Sequence, residues 1–511
     1  MSSNTVTLVV SSVTGTDFAT TGKHYRNATI IMLSDDILLE IFDMCRKNYD
    51  PNPRGVLALP DWHILVHVCQ RWRQVVFASP LRLNLRILCT HGTPVRKHLD
   101  IWPTFPIHLE YTIPPWQIIR SVDEDDIIAA LEHPDRLHTV RLSLTHTQLG
   151  KVAMAMREPC AALTYLHLST HMLSSNVPVL PCEFLGKSAP CVQKIELDGI
   201  PFPSLPALLL STSDLVTLRL QNTPQTGYIS PQAMVAALAT LTRLKELFIE
   251  FSSPASRPVS DHMFLPPVTL PVLPALTAFT FWGVREYLED FMGRINAPSL
   301  DSIFICYSNQ LVDFEVPRLW QFIDNSEVIT GNRPMRCFVE FQRNYVSFGA
   351  GTAAHILEYD FFEAIPHYID FGILCEGIDW QFSHLAQALN QTSSILSNML
   401  HLAIYSDPIS PEHEDIDDIE WLQLLRPFSS IKTLFVSRRF AKRVAIALRD
   451  SARMMVAPTE VLPALDILCL EGCRLVPSVH MFLTSRSECG RPVTTVHTRR
   501  EFEEILALYL N

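Results

Sequence analysis

The hexapeptide LTYLHL, at residues 163–168, has apolar side chains at its first, fourth and sixth positions. One such hexapeptide has no diagnostic value, because any buried strand or helix can supply it. The same apolar-x-x-apolar-x-apolar pattern recurs along the chain, however. Its copies are LHTVRL (137–142), LTYLHL (163–168), VQKIEL (192–197), LVTLRL (215–220), LKELFI (244–249), LTAFTF (276–281) and LDSIFI (300–305), and then MLHLAI (399–404), IKTLFV (431–436) and LDILCL (465–470). Seven consecutive copies in the first block indicate a structural repeat.

The spacing of the copies indicates the kind of repeat. Successive copies in the first block start between 23 and 32 residues apart, within or close to the period of about 20 to 29 residues of leucine-rich repeats. Positions 4 and 6 of each copy point to one side of a short strand, where they bury against a helix or loop. The segments between copies agree, because PSLPALLLS (203–211) and PQAMVAALATL (231–241) have the composition of helices or turns with proline near the start.

We therefore predict an α/β fold in which short parallel strands alternate with helices and loops in an irregular leucine-rich-repeat solenoid. This solenoid is predicted to occupy residues 89–511. The repeat is clearest at 137–305, irregular at 306–398 and resumed at 399–470.

Within the irregular part, CFVEF (337–341) and YIDFGI (368–373) are predicted as strands, and residues 384–399 as a helix. The solenoid is expected to continue through this part with irregular units.

A small all-α module is predicted before the solenoid, at residues 31–88, and the Ser- and Thr-rich residues 1–30 are predicted to be a disordered tail. The segment LSDDILLEIFDMC (33–45) has Ser34 as a helix cap and acidic residues in the first turn. Its apolar residues have the spacing of one helical face. They are Ile37, Leu38, Ile41, Phe42 and Cys45.

A second helical segment, DWHILVHVCQRWRQVVFAS, covers residues 61–79 and has Asp61 as its expected cap. Its apolar residues are also expected to share one helical face. They are Ile64, Leu65, Val68, Trp72, Val75 and Val76. Two or three short helices are therefore predicted between residues 33 and 79.

Composition excludes several classes of function. The formal net charge of −12 removes the basic surface that binding to nucleic acid requires. No run of about 20 apolar residues occurs, so no membrane span is predicted. Cysteines occur singly, several of them in apolar runs, which suits buried residues of a reducing compartment; examples are Cys69, Cys191, Cys306 and Cys469. We expect a cytoplasmic or nuclear protein.

No catalytic or metal centre is predicted. The nearest cysteine pairs, Cys469/Cys473 and Cys182/Cys191, do not form a CxxC motif, and no HExxH motif accompanies them. Gly186-Lys187-Ser188 resembles the end of a phosphate-binding loop, but Pro181 stands where that loop requires glycine. We therefore expect no cofactor and no enzymatic activity.

Two charged segments are interpreted as solvated faces of helices. The acidic run EHEDIDDIEWL (412–422) lacks the glycine hinge of a calcium loop and ends in two expected core residues, Trp421 and Leu422. A short basic segment further on is also expected to face solvent. It contains Arg438, Arg439, Lys442 and Arg443.

The helical module resembles an F-box domain, and in particular those of fungal F-box proteins in which a Val-Cys-x-x-Trp stretch and Ser-Pro-Leu precede a repeat region. The resemblance covers residues 32 to about 88. It departs from the family where Leu33-Ser34 replaces the usual Leu-Pro and where residues 46–60 form a longer loop.

The resemblance implies docking to the Skp adaptor of a cullin-RING (SCF-type) ubiquitin ligase, with the repeats binding the protein to be ubiquitylated. The residues implied in adaptor docking are Leu33, Leu38, Ile41, Phe42, Val68, Cys69, Trp72 and Pro80. Among the residues of these helices, we expect Ile37 and Trp72 to pack internally, and Leu38 and Phe42 to contact the partner.

The target protein is expected to bind the strand positions that face away from the helices, which are positions 3 and 5 of each copy. The candidates are Tyr165, His167, Lys194, Glu196, Thr217, Arg219, Glu246, Phe248, Ser302 and Phe304. The identity of the target does not follow from them. The alternative function is that of a non-catalytic repeat scaffold or regulatory binder that acts without a ligase.

Overall fold

The computed structural model describes residues 33–47, 62–79, 83, 85–102, 104–112, 121–170, 177–252, 270–308, 314–329, 335–351, 368–374, 378–391, 395–406, 418–453, 461–471 and 477–496. The chain divides into two compact units, Met1–Leu85 and Arg86–Asn511. The predicted boundary between residues 88 and 89 falls inside the first strand of the second unit, Ile87–Cys89. The predicted tail at residues 1–30 and the predicted cap Asp61 lie outside the described residues.

The first unit contains three helices in its described part: α1 (Asp35–Lys47), α2 (Trp62–Val68) and α3 (Gln70–Ala78). The predicted cap of α1 is confirmed, because the backbone N–H of Ile37 donates to Ser34 Oγ at 3.4 Å. Asp35 and Asp36 lie in the first turn, where carboxylates favour the positive end of the helix dipole.

The segment 61–79 is not one continuous helix, because Cys69 interrupts it. The backbone of Cys69 is extended, and its Sγ accepts a hydrogen bond from the backbone N–H of Trp72. The predicted single apolar face is therefore wrong. Ile64 and Val68 of α2 are exposed, whereas Val75 and Val76 of α3 are buried.

The second unit contains one sheet, to which the described residues contribute sixteen strands. They are β1 (Ile87–Cys89), β2 (Ile107–Tyr111), β3 (Leu137–Leu144), β4 (Tyr165–Thr170), β5 (Lys194–Asp198), β6 (Thr217–Thr223), β7 (Glu246–Phe251), β8 (Ala278–Gly283), β9 (Ser302–Ser308), β10 (Met335–Gln342), β11 (Tyr345–Gly351), β12 (Tyr368–Leu374), β13 (Met399–Ser406), β14 (Thr433–Val436), β15 (Ile467–Leu470) and β16 (Thr494–Val496).

Helices alternate with these strands. They are α4 (Val95–Ile101), α5 (Ser121–Leu131), α6 (His146–Ala155), α7 (Leu205–Leu209), α8 (Pro231–Leu238), α9 (Arg285–Met292), α10 (Pro317–Asp324), α11 (Ile378–Asn390), α12 (Asp418–Leu425), α13 (Arg438–Arg453) and α14 (Pro477–Glu488). The predicted prolines near helix starts are confirmed for α7 and α8. None of the helices in the described part of the chain is long and apolar enough to cross a membrane.

The hexapeptide pattern predicts the strands and their register correctly. From β4 to β9, each strand begins at position 3 of its hexapeptide, and neighbouring strands are parallel. The position-4 residues Leu166, Ile195, Leu218 and Leu247 lie directly opposite one another and are buried. Consecutive repeats therefore share one continuous core, as stacked units that cannot close a core alone require.

The irregular part departs from a parallel solenoid. The strand order is β9-β12-β11-β10-β13, with β11 antiparallel to both of its neighbours. The predicted strands CFVEF and YIDFGI lie in β10 and β12, but β11 was not expected, and the predicted helix at 384–399 is instead α11, which ends at Asn390. Glycine makes this pairing possible, because a Cβ on Gly349 would lie 2.2 Å from the ring of Phe338 on β10.

The predicted burial of cysteines holds for only some of them. Cys306 and Cys469 are buried, as expected, but Cys69 and Cys191 are exposed. Of the expected core residues that end the acidic run, Trp421 is fully buried and Leu422 is partly buried.

Candidate interaction surfaces

Positions 3 and 5 of the hexapeptides form two rows on the face of the sheet opposite to the buried positions 4 and 6. The rows follow the strand register from β4 to β9. We call this set the front strip: Tyr165, Lys194, Thr217, Glu246, Ala278 and Ser302 in one row, and His167, Glu196, Arg219, Phe248, Thr280 and Phe304 in the other. All ten predicted target-binding residues therefore lie on one continuous surface.

Glu196 on β5 is the centre of a polar network in the front strip. Its carboxylate accepts a hydrogen bond from the Tyr165 hydroxyl, and its Oε2 lies 3.1 Å from His167 Nδ1. The Lys194 ammonium lies 2.9 Å from Oε1 and 5.1 Å from the centre of the Tyr165 ring. These contacts join neighbouring strands and fix the direction of each side chain.

The same contacts control the ionisation of Glu196. Partial burial alone would raise the pKa of its carboxyl group. The hydrogen bonds that the carboxylate accepts outweigh burial and lower that pKa to about 2. Glu196 is therefore ionised at neutral pH, and the negative charge is shared among fixed donors.

Arg219 on β6 continues the network toward β7. Its guanidinium lies between two carboxylates, 3.9 Å from Glu196 and 3.7 Å from Glu246. It also lies over the Phe248 ring, 6.0 Å from the ring centre. An arginine beside an aromatic ring offers a large contact area at a small cost in conformational entropy, which is typical of residues that dominate protein interfaces.

The polar network also includes residues of β2 and β3, two strands that contain none of the predicted target-binding residues. Glu110 on β2 lies opposite Arg141 on β3 and 2.9 Å from its guanidinium. A hydrogen bond from His108 is the largest cause of a lowered pKa of Glu110, and Arg141 adds to it. Arg141 occupies position 5 of LHTVRL, so the same positional rule identifies it.

The front strip is half-buried rather than fully exposed, and one prediction fails. Thr217 is buried between its neighbours, and its Oγ1 lies 3.5 Å from Glu246 Oε2. Its side chain is too short to rise above the longer side chains beside it. The other nine predicted residues remain partly accessible.

The same face of the sheet is different at its C-terminal end. Phe435 on β14, Ile467 and Cys469 on β15, and Val496 on β16 form a buried apolar cluster. These residues occupy the register positions that continue the two rows. The front of the sheet is therefore apolar and buried at this end.

The first unit has exposed apolar side chains, but not those that were expected. Leu38 and Phe42 are 0% and 1% exposed, whereas Ile37 is 48% exposed. Phe42 packs against Trp72 with the ring centres 4.8 Å apart. Leu38 and Phe42 are four residues apart on the buried side of α1, so the expected roles of Ile37, Leu38 and Phe42 are wrong. The expected internal packing of Trp72 is confirmed.

Two helical faces in the first unit remain apolar and exposed. Ile37 and Met44 are seven residues apart on α1, and Ile64 and Val68 are four residues apart on α2, so each pair lies on one side of its helix. An ion pair between Arg71 and Asp35, 2.8 Å apart, joins α3 to α1. We call these four residues the exposed apolar pairs.

The other residues implied in adaptor docking are distributed differently. Val68 and Cys69 are exposed, and Leu33, Ile41 and Trp72 are partly buried. Pro80 lies outside the described residues. Sequence periodicity alone did not indicate Met44 or Ile64 as surface residues, because an apolar residue on a short helix has the same pattern whether it faces a core or a partner.

The described residues offer no metal site: no three His, Cys, Asp or Glu side chains among them lie close enough to hold an ion. No family model matches the sequence. No curated protein matches it at a significant level.

Proposed function

We propose that this protein is the substrate-receptor subunit of a cullin-RING ubiquitin ligase. In this proposal the first unit is an F-box domain that docks the Skp adaptor, and the second unit is a leucine-rich-repeat solenoid that binds the target protein. The observation that carries the proposal is the presence of the exposed apolar pairs in a small helical unit whose own core is already filled by Leu38 and Phe42.

Apolar side chains exposed on a small helical unit favour a protein partner. Burying an aliphatic side chain contributes roughly 1.5 to 3 kcal/mol, so the exposed apolar pairs supply a large part of the affinity of a specific complex. An ion pair between Arg71 and Asp35 links α3 to α1.

The front strip supplies the second binding surface. Its aromatic and arginine residues, Tyr165, Arg219 and Phe248, are of the types that contribute most to protein interfaces. Its carboxylates already have cationic neighbours, so a partner need not neutralise them. The chain itself binds and orients; transfer of ubiquitin belongs to the associated enzymes, and the proposed location is cytoplasmic or nuclear.

The test is titration of full-length protein with recombinant Skp-type adaptor in a calorimeter. The docking variant is Ile64→Asp/Val68→Asp, which places two charges on the exposed face of α2. We expect wild type to bind and the variant to lose about a hundredfold or more in affinity, since two buried aliphatic contacts are lost.

The matched control is Ile101→Asp/Met154→Asp, which alters two exposed apolar residues of the second unit. Ile101 and Ile64 are equally exposed, at 69%, so both variants add the same charge at comparable sites. Retained binding by the control supports the docking assignment. Absence of binding by wild type, or equal binding by the docking variant, would remove the ligase function and leave the repeat scaffold.

A further inference from the structure

Arg219 on β6 makes ion pairs but no hydrogen bond within the part of the chain that the structure describes. Its guanidinium lies 3.9 Å from Glu196 and 3.7 Å from Glu246, and both distances are longer than a hydrogen bond. Its Nε is buried and has no hydrogen-bond partner among the described residues. Because the side chain is 30% exposed, its other N–H groups can donate to a bound molecule. Arg219 therefore retains unused donors on the front strip.

The two carboxylates beside Arg219 accept hydrogen bonds from other side chains. Oε1 of Glu196 lies 2.9 Å from the Lys194 ammonium. Oε2 of Glu246 accepts from the Thr217 hydroxyl at 3.5 Å. A guanidinium group has five N–H donors and no acceptor. This part of the front strip therefore has more donors than acceptors, and a bound molecule has to supply the acceptor.

The charges of the front strip are balanced, although the chain as a whole is acidic. With histidine neutral, its charged residues are two carboxylates and two cations: Glu196, Glu246, Lys194 and Arg219. A carboxylate or phosphate that approached Arg219 would also approach Glu196 and Glu246, and like charges repel. A neutral oxygen accepts from the unused N–H groups without that repulsion. The arrangement therefore favours a neutral acceptor over an anion.

The side chains next to Arg219 on β7 and β8 are uncharged. The centre of the Phe248 ring lies 6.0 Å from the guanidinium, and Thr280 lies opposite Phe248 in the strand register. Both residues are partly accessible. Because the Thr280 side chain is shorter than a phenylalanine ring, it leaves space beside Phe248 for an apolar side chain. An extended polypeptide has a carbonyl oxygen and a side chain at every residue, so it can supply both groups.

We propose that the front strip recognises an uncharged, unphosphorylated peptide segment of the target. One main-chain carbonyl oxygen of that segment accepts from the Arg219 guanidinium, and an apolar side chain packs against Phe248. The inference rests on the proposed function, because it takes the front strip as the surface that binds the target. It adds the chemical class of the recognised segment: binding requires neither an acidic motif nor prior phosphorylation of the target.

The probe is a phage-displayed library of short random peptides, selected on full-length wild-type protein. The library is first depleted on Thr280→Trp, which fills the space beside Phe248 without adding charge, so peptides that bind elsewhere are removed. We expect the remaining peptides to have no net charge. The most enriched peptide is then labelled, and its affinity for each protein is measured by fluorescence anisotropy.

The variant Arg219→Lys keeps the positive charge but replaces the planar guanidinium with a single ammonium group. It should bind the peptide about tenfold more weakly than wild type, because a hydrogen bond from a charged donor is lost. The matched control is Arg243→Lys, the same change at an exposed arginine that donates to Asp214 at 2.8 Å. The control should bind as tightly as wild type, and thermal melting of each variant reports whether the fold is retained.

Changes to the peptide and to the salt concentration test the preference for a neutral acceptor. Replacing a polar residue of the peptide with glutamate or phosphoserine should weaken binding, and salt up to about 0.5 M should change the affinity by less than about twofold. Enrichment of acidic peptides, tighter binding of the phosphoserine peptide, equal affinity of Arg219→Lys and wild type, or no enriched peptide would each overturn the proposal. Titration with the Skp-type adaptor decides the ligase function separately from these outcomes.

Discussion

The front of the sheet differs between strands β4–β9 and strands β14–β16, although the same hexapeptide pattern builds β4–β9, β14 and β15. In the first region, position 5 includes Glu196 and Arg219, which are partly accessible and hydrogen-bonded or ion-paired across strands. In the second region, the corresponding positions include Phe435 and Cys469, which are buried in an apolar cluster. The back of the sheet is buried in both regions, at Leu218 and Leu434 alike.

The difference shows which positions determine the fold and which determine the surface. Positions 4 and 6 are apolar throughout and specify a strand packed against helices. Positions 3 and 5 vary: between β4 and β9 they include partly accessible, hydrogen-bonded and ion-paired side chains, and between β14 and β16 they include a buried apolar cluster. A repeat of this kind can therefore alter its outer face without altering its scaffold.

The largest expected effect compares two phenylalanines at position 5. Phe435→Ala should lower the free energy of unfolding by about 3 to 5 kcal/mol, because it empties a fully buried site. Phe248→Ala, at the partly buried front strip, should lower it by less, about 1 to 2 kcal/mol. Urea unfolding of the two variants measures both values.

Leu218→Ala is the reference for this comparison, because Leu218 is buried at the back of the same strand region as Phe248. It should cost about 2 to 5 kcal/mol. Equal losses for Phe435→Ala and Phe248→Ala would mean that the two front regions do not differ in burial.

A smaller effect is expected from Glu196, and it depends on pH. The folded-state pKa of about 2 lies below the unfolded-state value of about 4.3. The ionised carboxylate therefore stabilises the protein above about pH 4.3, and this contribution is lost as the pH falls toward about 2. Its side chain is only 15% exposed, so the contribution at pH 7 is about 2 kcal/mol after allowance for solvent screening.

Glu196→Gln should remove that contribution. The difference in unfolding free energy between wild type and variant should be about 2 kcal/mol at pH 7 and about half of that at pH 3. Urea unfolding at both pH values gives the comparison. A difference that stays constant between the two would show that the polar network does not hold the Glu196 carboxylate in its ionised form.

Much of the second unit could be predicted from the sequence, because burial at positions 4 and 6 repeats in each of the ten hexapeptides. The sequence of β15 also indicates that its front is buried, because both its position 3 (Ile467) and its position 5 (Cys469) are apolar. Phe248 shows why one apolar residue is not sufficient: it occupies position 5, yet it is partly accessible beside Arg219.

Three other features could not be predicted, for different reasons. The antiparallel strand β11 depends on a glycine that makes room for a ring on the neighbouring strand, and no periodicity records that contact. In the first unit, Leu38 and Ile37 are adjacent and both aliphatic, so the pattern alone cannot say which faces the core. The break between α2 and α3 at Cys69 also could not be predicted, because it coincides with one local hydrogen bond, from the Trp72 N–H to Cys69 Sγ.

We propose that the front strip from β4 to β9 binds the target protein, and site-specific photo-crosslinking in cells treated with a proteasome inhibitor is the decisive experiment. One variant carries the photoreactive residue at Thr280, between Phe248 and Phe304 in the front strip, and the control carries it at Leu210, an exposed residue at the end of α7. We expect crosslinks from Thr280 to a partner that accumulates when the proteasome is inhibited, and none from Leu210. Crosslinking of that partner from Leu210 alone, or equally from both positions, would contradict the claim.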